Sequence, residues 1–203
     1  MQKNVLNERG VRRDPVAQFR RWFADAADAG IPMPETMALA TATRDGRPSV
    51  RMVLLKGFDR RGFVFYTNYR SRKGMELAGN PRAQISFWWG AMERQVRIEG
   101  RVERVTAKES DVYFRMRPRE SQIGAHVSEQ SAVVASRETL EEAMRTMIAR
   151  FEGSRVPRPL YWGGFRLIPD RAEFWQGREA RLHDRILYAR VRGGGWKIQR
   201  LAP

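Results

Sequence analysis

Three short stretches of this chain place side chains together that could do chemistry. The first is Tyr66-Thr67-Asn68-Tyr69-Arg70-Ser71-Arg72-Lys73-Gly74. It sets hydroxyls and cations directly after a strand, at the start of a helix that Ser71 would cap. Backbone N–H groups at such a helix start, together with Arg72 and Lys73, can hold a phosphate. The plain alternative is an ordinary capped, solvated helix start. The second stretch holds Tyr113, Arg117, Ser121 and Gln122. Arg117 follows Tyr113 by four residues, so a helix puts both on one face. Ser121 could open the next helix and offer its hydroxyl and N–H to the same anion. The alternative is a helix broken at Pro118, with Ser121 as the next cap. The third runs Glu173-Phe174-Trp175-Gln176-Gly177 and then Arg181-Leu182-His183-Asp184-Arg185. If the latter is extended, Arg181, His183 and Arg185 share one face. That row is unusual for a core strand; its plain reading is a polar edge strand facing solvent.

Composition removes several competing chemistries. The chain has 203 residues and no cysteine, so a disulfide framework, a thiolate nucleophile and cysteine-ligated metal are excluded. Two histidines, His126 and His183, make a multi-histidine metal centre a poor expectation, and no metal is expected. Neither GxSxG, GxGxxG nor GxxxxGK[ST] occurs. No apolar run reaches membrane-span length, and the first twenty residues lack a signal-peptide apolar core; a cytoplasmic protein without membrane contact is expected. The net charge is +15, and 33 of the 38 cations are Arg. Arg matches phosphate and carboxylate through its planar fork, so anionic partners are indicated. The arginines are spread along the whole chain, not gathered in a stripe with interleaved aromatics, which weakens a nucleic-acid reading.

The elements that must position these clusters can be read from pattern. Residues 1–13 are polar and expected to be mobile; 14–203 read as one domain. Asp14-Pro15 opens a helix with Val16, Phe19, Phe23 and Ala26 on one face, ended by Gly30. Strands are expected at Met37–Thr43, Ser49–Phe58 and Phe63–Thr67, then a short helix after Ser71, then strands at Ala83–Trp89 and Gln95–Val105. In the last of these, Val96, Ile98 and Val102 alternate with charged residues, which implies one buried face. Helices follow at Ala107–Met116 and Ser136–Phe151, the second with Leu140, Met144, Met147, Ile148 and Phe151 on one face. Strands return at Tyr161–Ile168, Ala172–Trp175, Ile186–Val191 and Trp196–Gln199, the last two joined through Gly193-Gly194-Gly195. Close hairpin connections without βαβ alternation predict a mainly β, antiparallel sheet or barrel with peripheral helices.

Nine stretches in series also resemble the pyridoxamine 5′-phosphate oxidase family, FMN-dependent enzymes of vitamin B6 metabolism. They are RMVLLK (51–56), FYTNYRSRKG (65–74), RQVRIEG (94–100), YFRMRPRESQIGA (113–125), SEQS (128–131), WGGF (162–165), EFWQG (173–177), RLHDR (181–185) and RLAP (200–203). The resemblance implies an FMN-binding split β-barrel, Greek-key-like, that works as a homodimer with FMN between the subunits. It implies FMN contacts from Arg51, Met52, Val53, Leu54, Leu55, Lys56, Tyr66, Thr67, Arg72, Lys73, Gln95, Gln130, Ser131, Trp175 and Arg185. It implies that Lys56, Tyr113, Arg117 and Ser121 hold the substrate phosphate. Arg181 and His183 would lie over the substrate ring as the catalytic pair. The implied reaction is hydride loss from C4′ of pyridoxamine or pyridoxine 5′-phosphate to the flavin, with dioxygen reduced to hydrogen peroxide. Family members commonly carry a longer N-terminal segment whose Arg and Tyr close over the substrate. Here no Tyr precedes Asp14, so that lid is expected to be missing, substituted or trimmed. Met33 stands before Pro34, where the family often has an acidic residue.

Two other functions compete. A related flavin oxidase could act on another ring, such as a phenazine precursor. A basic polyanion binder could use the barrel without catalysis; it predicts a colourless protein and salt-dependent DNA binding.

Overall fold

The computed structural model describes residues 5–203. The four residues before them belong to the stretch expected to be mobile and lie outside the described residues. Helix α1 spans Pro15–Asp28; Asp14 caps it by accepting the Ala17 backbone N–H at 2.9 Å, and Gly30 follows at φ 70°. Strands β1 (Thr36–Ala42), β2 (Pro48–Leu54), β3 (Gly57–Asp59) and β4 (Gly62–Asn68) come next. Helix α2 (Arg72–Gly79) precedes β5 (Arg82–Trp89) and β6 (Arg94–Arg104). Helices α3 (Ala107–Met116), α4 (Arg119–Val127) and α5 (Arg137–Arg150) lead to β7 (Trp162–Gln176), β8 (Asp184–Arg190) and β9 (Trp196–Arg200).

All nine strands join one antiparallel sheet in the order β2-β1-β5-β6-β7-β4-β3, with β8 and β9 continuing from the far half of β7. The fold is mainly β, a curled half-barrel with helices around it. Phe19 of α1 fills its centre. It is fully buried and meets Phe58, Phe63 and Phe87 at ring-centroid distances of 4.9, 5.0 and 4.9 Å. Truncating such a ring costs about 3–5 kcal/mol, so this one contact from α1 ties both halves of the sheet together. A second cluster of Phe114, Ile123, Val156 and Trp162 packs α3 and α4 against the start of β7.

Several expected boundaries shift for identifiable reasons. The strand expected over 49–58 breaks in two. Leu55 N–H bonds back to Glu35, whereas Lys56 N–H bonds to Val64; the chain changes pairing partner between them and leaves Lys56 at the crossover. The two strands expected over 161–175 are one, β7. Gly100 of β6 pairs with Pro169 and Glu99 with Arg171, so Asp170 is the extra residue of a bulge. A proline inside a long strand is tolerated at such a place, where the ladder is already interrupted. Ser121 does not cap α4: the helix begins at Arg119 after Pro118, which puts Ser121 in its first turn. Arg181–Arg185 is not an extended row either. Glu179–Arg181 forms a 3-10 turn, Ala180 and Arg181 have φ of 53° and 60°, and β8 starts only at Asp184. On α5, Met144, Met147 and Phe151 pack against the second cluster, while Leu140 and Ile148 stay exposed.

Residues 5–13 lie against β8 and β9. Leu6 is buried, Tyr188 donates its hydroxyl hydrogen bond to the Arg12 carbonyl at 2.6 Å, and Arg200 pairs with Glu8 at 3.0 Å. Polar composition conceals these anchors.

Candidate active site

A cleft of about 790 Å³ opens between the outer strand β2, β4, and the α3–α4 connection. Among the described residues β2 pairs with β1 alone, so one edge of its backbone is free of strand partners. Arg51, Met52, Val53, Leu54 and Lys56 line the cleft on that side; Tyr66, Thr67, Lys73, Tyr113, Arg117, Ser121, Gln130 and Trp162 complete it. Leu55 does not join them, because its side chain is buried in the main core.

One end of the cleft is aromatic and cationic. Tyr66 and Tyr113 stack at 3.9 Å between centroids, and Trp162 stacks on Tyr66 at 5.5 Å. The stack exists because β7 is glycine-bearing where β4 crosses it. Tyr66 pairs with Gly164, and a Cβ there would sit 2.8 Å from Tyr66 Cε1 and 2.6 Å from Val105 Cγ2. Arg117 lies over Trp162 with its guanidinium carbon 4.6 Å from the indole centroid. Its Nη1 is buried with no hydrogen-bond partner. Burial lowers the Arg117 pKa and raises those of Tyr66 and Tyr113, so the phenols are neutral near pH 7 while guanidinium remains charged. A buried, unpaired guanidinium donor is costly, and Arg117 brings its positive charge to the cleft lining.

The other end is built on α2. Ser71 caps the helix by accepting the Gly74 N–H at 3.3 Å. Lys73, buried, donates from Nζ to Gln130 Oε1 at 2.9 Å and Thr67 Oγ1 at 3.2 Å. Arg72 N–H donates to Ser131 Oγ at 3.2 Å. Desolvation, with Arg51 nearby, brings the Lys73 pKa down to about 8. Behind these cations lies Glu76, which sequence reasoning missed although it stands four residues after Arg72, a spacing that pairs charges on a helix. Its pKa falls to about 2: burial opposes the shift, but hydrogen bonds from Ser49, Thr41 and Arg72 and the charge of Arg51 outweigh it. Trp162 was likewise legible only as part of a motif, not as the plate beneath Arg117.

Arg72 and Ser131 stand beside this end without lining the cleft, and the remaining expected site residues lie farther off. Gln95 of β6 pairs with Trp175 of β7. Trp175 contacts Trp88 at 5.9 Å and the His183 ring at 4.6 Å between centroids. His183 Nδ1 accepts the Arg178 backbone N–H at 3.1 Å. Arg185 donates to Glu173 Oε1 at 2.9 Å and to the Ala202 carbonyl at 2.7 Å, and Arg97 shares the same carboxylate. These two guanidinium groups hold Glu173 ionised against its burial, with its pKa lowered. Arg181 is exposed on its 3-10 turn. None of these side chains lines the cleft. Gly164, the β4 partner of Tyr66, and Trp175 are eleven residues apart on β7. At about 3.3 Å per residue that is on the order of 30 Å. A single chain therefore carries two separated sets of residues.

No group of three or more His, Cys, Asp or Glu able to hold a metal occurs among the described residues. The cleft does fit a phosphorylated heteroaromatic cofactor. It has a cation set at a helix start, a free backbone edge on β2 for ring polar atoms, and a volume in the range of cofactor pockets.

Comparison with known proteins agrees. Residues 23–150 match the family model described as pyridoxamine 5′-phosphate oxidase, and 162–203 match that described as the pyridoxine 5′-phosphate oxidase C-terminal dimerisation region. Proteins named pyridoxine/pyridoxamine 5′-phosphate oxidase are 56% identical in Trichormus variabilis and 58% in Rubrobacter xylanophilus. The alignments cover 98% of this chain and 93% and 91% of theirs. Among solved structures, PhzG from Burkholderia lata, in complex with tetrahydrophenazine-1-carboxylic acid, superposes with a TM-score of 0.92 at 33% identity, covering 98% of both chains. A pyridoxamine 5′-phosphate oxidase-related, FMN-binding protein from Nostoc punctiforme superposes at 0.72 with 17% identity, covering 91% of this chain and 97% of that one; it supports the split-barrel fold. Sequence motifs, fold and relatives agree that this chain belongs to the pyridoxine/pyridoxamine 5′-phosphate oxidase family.

Proposed function

We propose that the protein is an FMN-dependent oxidase converting pyridoxamine or pyridoxine 5′-phosphate to pyridoxal 5′-phosphate, and that it works as a homodimer. The observation that carries the reading is the buried, unpartnered Nη1 of Arg117, in a cleft also lined by Lys56, Tyr113 and Ser121. These four supply two cations and two hydroxyls, the donor set a phosphate monoester needs. The α2 end, with Arg51, Thr67, Arg72, Lys73, Gln130 and Ser131, offers a second phosphate site for the cofactor. The free edge of β2 at Met52–Leu54 faces the ring between them.

The chemistry FMN supplies when bound is acceptance of a hydride from C4′ of the substrate, with dioxygen as final oxidant and hydrogen peroxide as product. The chain's own work is positioning. Arg117 and Lys56 anchor the substrate phosphate and so fix the distance of C4′ from the cofactor ring. Gln95, Trp175, Arg181, His183 and Arg185 cannot reach the cleft of their own protomer; in the dimer they close the cleft of the other copy. There Trp175 and Arg185 contact the cofactor, and Arg181 and His183 cover the substrate ring. His183 accepts a backbone hydrogen bond at Nδ1, which leaves Nε2 as its donor toward that ring.

The likeness to PhzG favours one second reading, oxidation of a reduced phenazine ring whose carboxylate meets Arg117. Aerobic turnover separates the two. FMN-loaded protein is given pyridoxamine 5′-phosphate or a dihydrophenazine carboxylate, and aldehyde and peroxide are measured. Aldehyde and peroxide from the first support the leading reading; product from the phenazine alone overturns it. A colourless protein that takes up no FMN overturns both.

A further inference from the structure

Arg51 and Lys73 repel one another, Arg72 adds a third cation at the same helix start, and each long side chain loses rotamer freedom if held still. One carboxylate resolves both problems. Glu76 Oε1 accepts from Arg72 Nε at 2.9 Å, and Oε2 accepts from Arg51 Nη2 at 3.4 Å. Oε2 also accepts from Thr41 Oγ1 at 2.5 Å and Ser49 Oγ at 2.6 Å. The carboxylate is buried, and both oxygens are engaged by the protein. It therefore acts on the guanidinium groups and not on a ligand. Arg51 comes from β2 and Arg72 from α2, so Glu76 bridges them; it reaches Arg51 both directly and through Thr41 and Ser49, which also accept from the Arg51 guanidinium.

We infer that Glu76 is a positioning residue: it clamps Arg51 and Arg72 beside Lys73 as a preformed cradle for the cofactor phosphate. The inference rests on the flavin reading above. Three cations and one carboxylate leave the cradle with two net positive charges, which suits a phosphate carrying about −1.5 to −2. A carboxylate facing the ligand would repel it; one placed behind the arginines lowers their mutual repulsion, while Leu39 O, Thr41 Oγ1 and Ser49 Oγ also accept from the Arg51 terminal nitrogens and hold that side chain still. Glu76 also helps Lys73 keep its proton, since its charge opposes the desolvation and the Arg51 field that bring the lysine to about 8. Arg51 and Glu76 are the charged groups acting on that ammonium; Thr67, Ser71 and Gln130 are its neutral neighbours.

The test compares FMN with riboflavin, which lacks the phosphate, by flavin-fluorescence titration of apoprotein. Wild type, Glu76→Gln and Glu76→Asp are each measured from pH 6 to 9. Glu76→Gln is expected to weaken FMN by about tenfold or more, from loss of charge-assisted hydrogen bonds, and to leave riboflavin within about twofold of wild type. The upper limb of its FMN pH profile should move to lower pH. Glu76→Asp keeps the charge and shortens the reach, so it should weaken FMN while holding the wild-type pH limb. It also supplies the answer if Glu76→Gln does not fold. Equal loss of FMN and riboflavin, or no loss of either, overturns the inference. Failure of wild-type protein to bind FMN overturns the flavin reading itself, and the inference falls with it.

Discussion

Arg117 and Trp162 form a cation–π pair at 4.6 Å in which the half-buried guanidinium keeps one buried nitrogen, Nη1, without a partner. The indole supplies a flat, apolar support that fixes the plane of the fork, so the open donor has a defined direction. The first expectation concerns that donor. Arg117→Ala should raise KM for pyridoxamine 5′-phosphate by about 30- to 150-fold, corresponding to about 2–3 kcal/mol for hydrogen bonds to a charged group. Arg117→Lys should recover little of it, because an ammonium lacks the planar fork. Steady-state kinetics on FMN-saturated protein checks this; an unchanged KM in both variants removes Arg117 from the substrate site.

The second expectation is a pH window for FMN binding. Lys73 has its pKa depressed to about 8, and only the protonated form attracts phosphate. Affinity should be lost as pH rises through about 8. It should also fall below about pH 6, where the phosphate monoester gains a proton. Riboflavin should show neither limb. In the apoprotein the same group acts in the opposite sense. Its charged form is penalised by burial, so its contribution to stability rises between about 8 and the ordinary value of 10.5. Fluorescence titration from about pH 5 upward and urea unfolding up to about pH 10.5 measure the two effects. A flat FMN profile would sink the assignment of Lys73 to the phosphate.

A third expectation follows from the separation of the site residues along β7. At substrate far below the raised KM, Arg117→Ala and Arg181→Ala homodimers should each be nearly inactive. After mixing and subunit exchange at equal amounts, half the dimers are hybrids, and each hybrid has one intact site of two. About a quarter of wild-type activity should return. No recovery, with exchange verified by mass-tagged subunits, argues against sites shared between copies.

Gly164 supplies a fourth. Its missing side chain lets Tyr66 and Val105 close on β7. Gly164→Ala should destabilise by about 1–3 kcal/mol through overpacking. At about 2–4 °C per kcal/mol for a chain of this size, a thermal melt detects it. The same variant should perturb the Tyr66–Tyr113 stack and weaken substrate binding. An unaltered melting temperature would mean that β4 and β7 can separate at no cost.

Much of the fold was legible in local signals. Asp14-Pro15 caps α1, Ser71 caps α2, and Val96, Ile98 and Val102 show the buried face of β6, because caps and alternation depend on neighbours within a few residues. The limits of that reading have equally physical causes. The break at Leu55–Lys56 is a change of strand partner, and the bulge that lets β7 run through Pro169 depends on Gly100 across the ladder. Neither leaves a mark in the local pattern. The expected row of Arg181, His183 and Arg185 failed because Ala180 and Arg181 take left-handed backbone angles, which neither residue type announces.

The residue types alone bounded the chemistry available to this protein: arginines and hydroxyls suited to an anionic partner, with no thiol. Tertiary structure decided the grouping. Sheet order brings Arg51 to Glu76 across 25 positions of chain and Thr67 to Gln130 across 63. It also holds Trp175 and His183 away from the cleft that Arg117 lines. Strand pairing is a long-range choice made by the whole core, so the same motifs in the same order could not by themselves say which residues share a pocket.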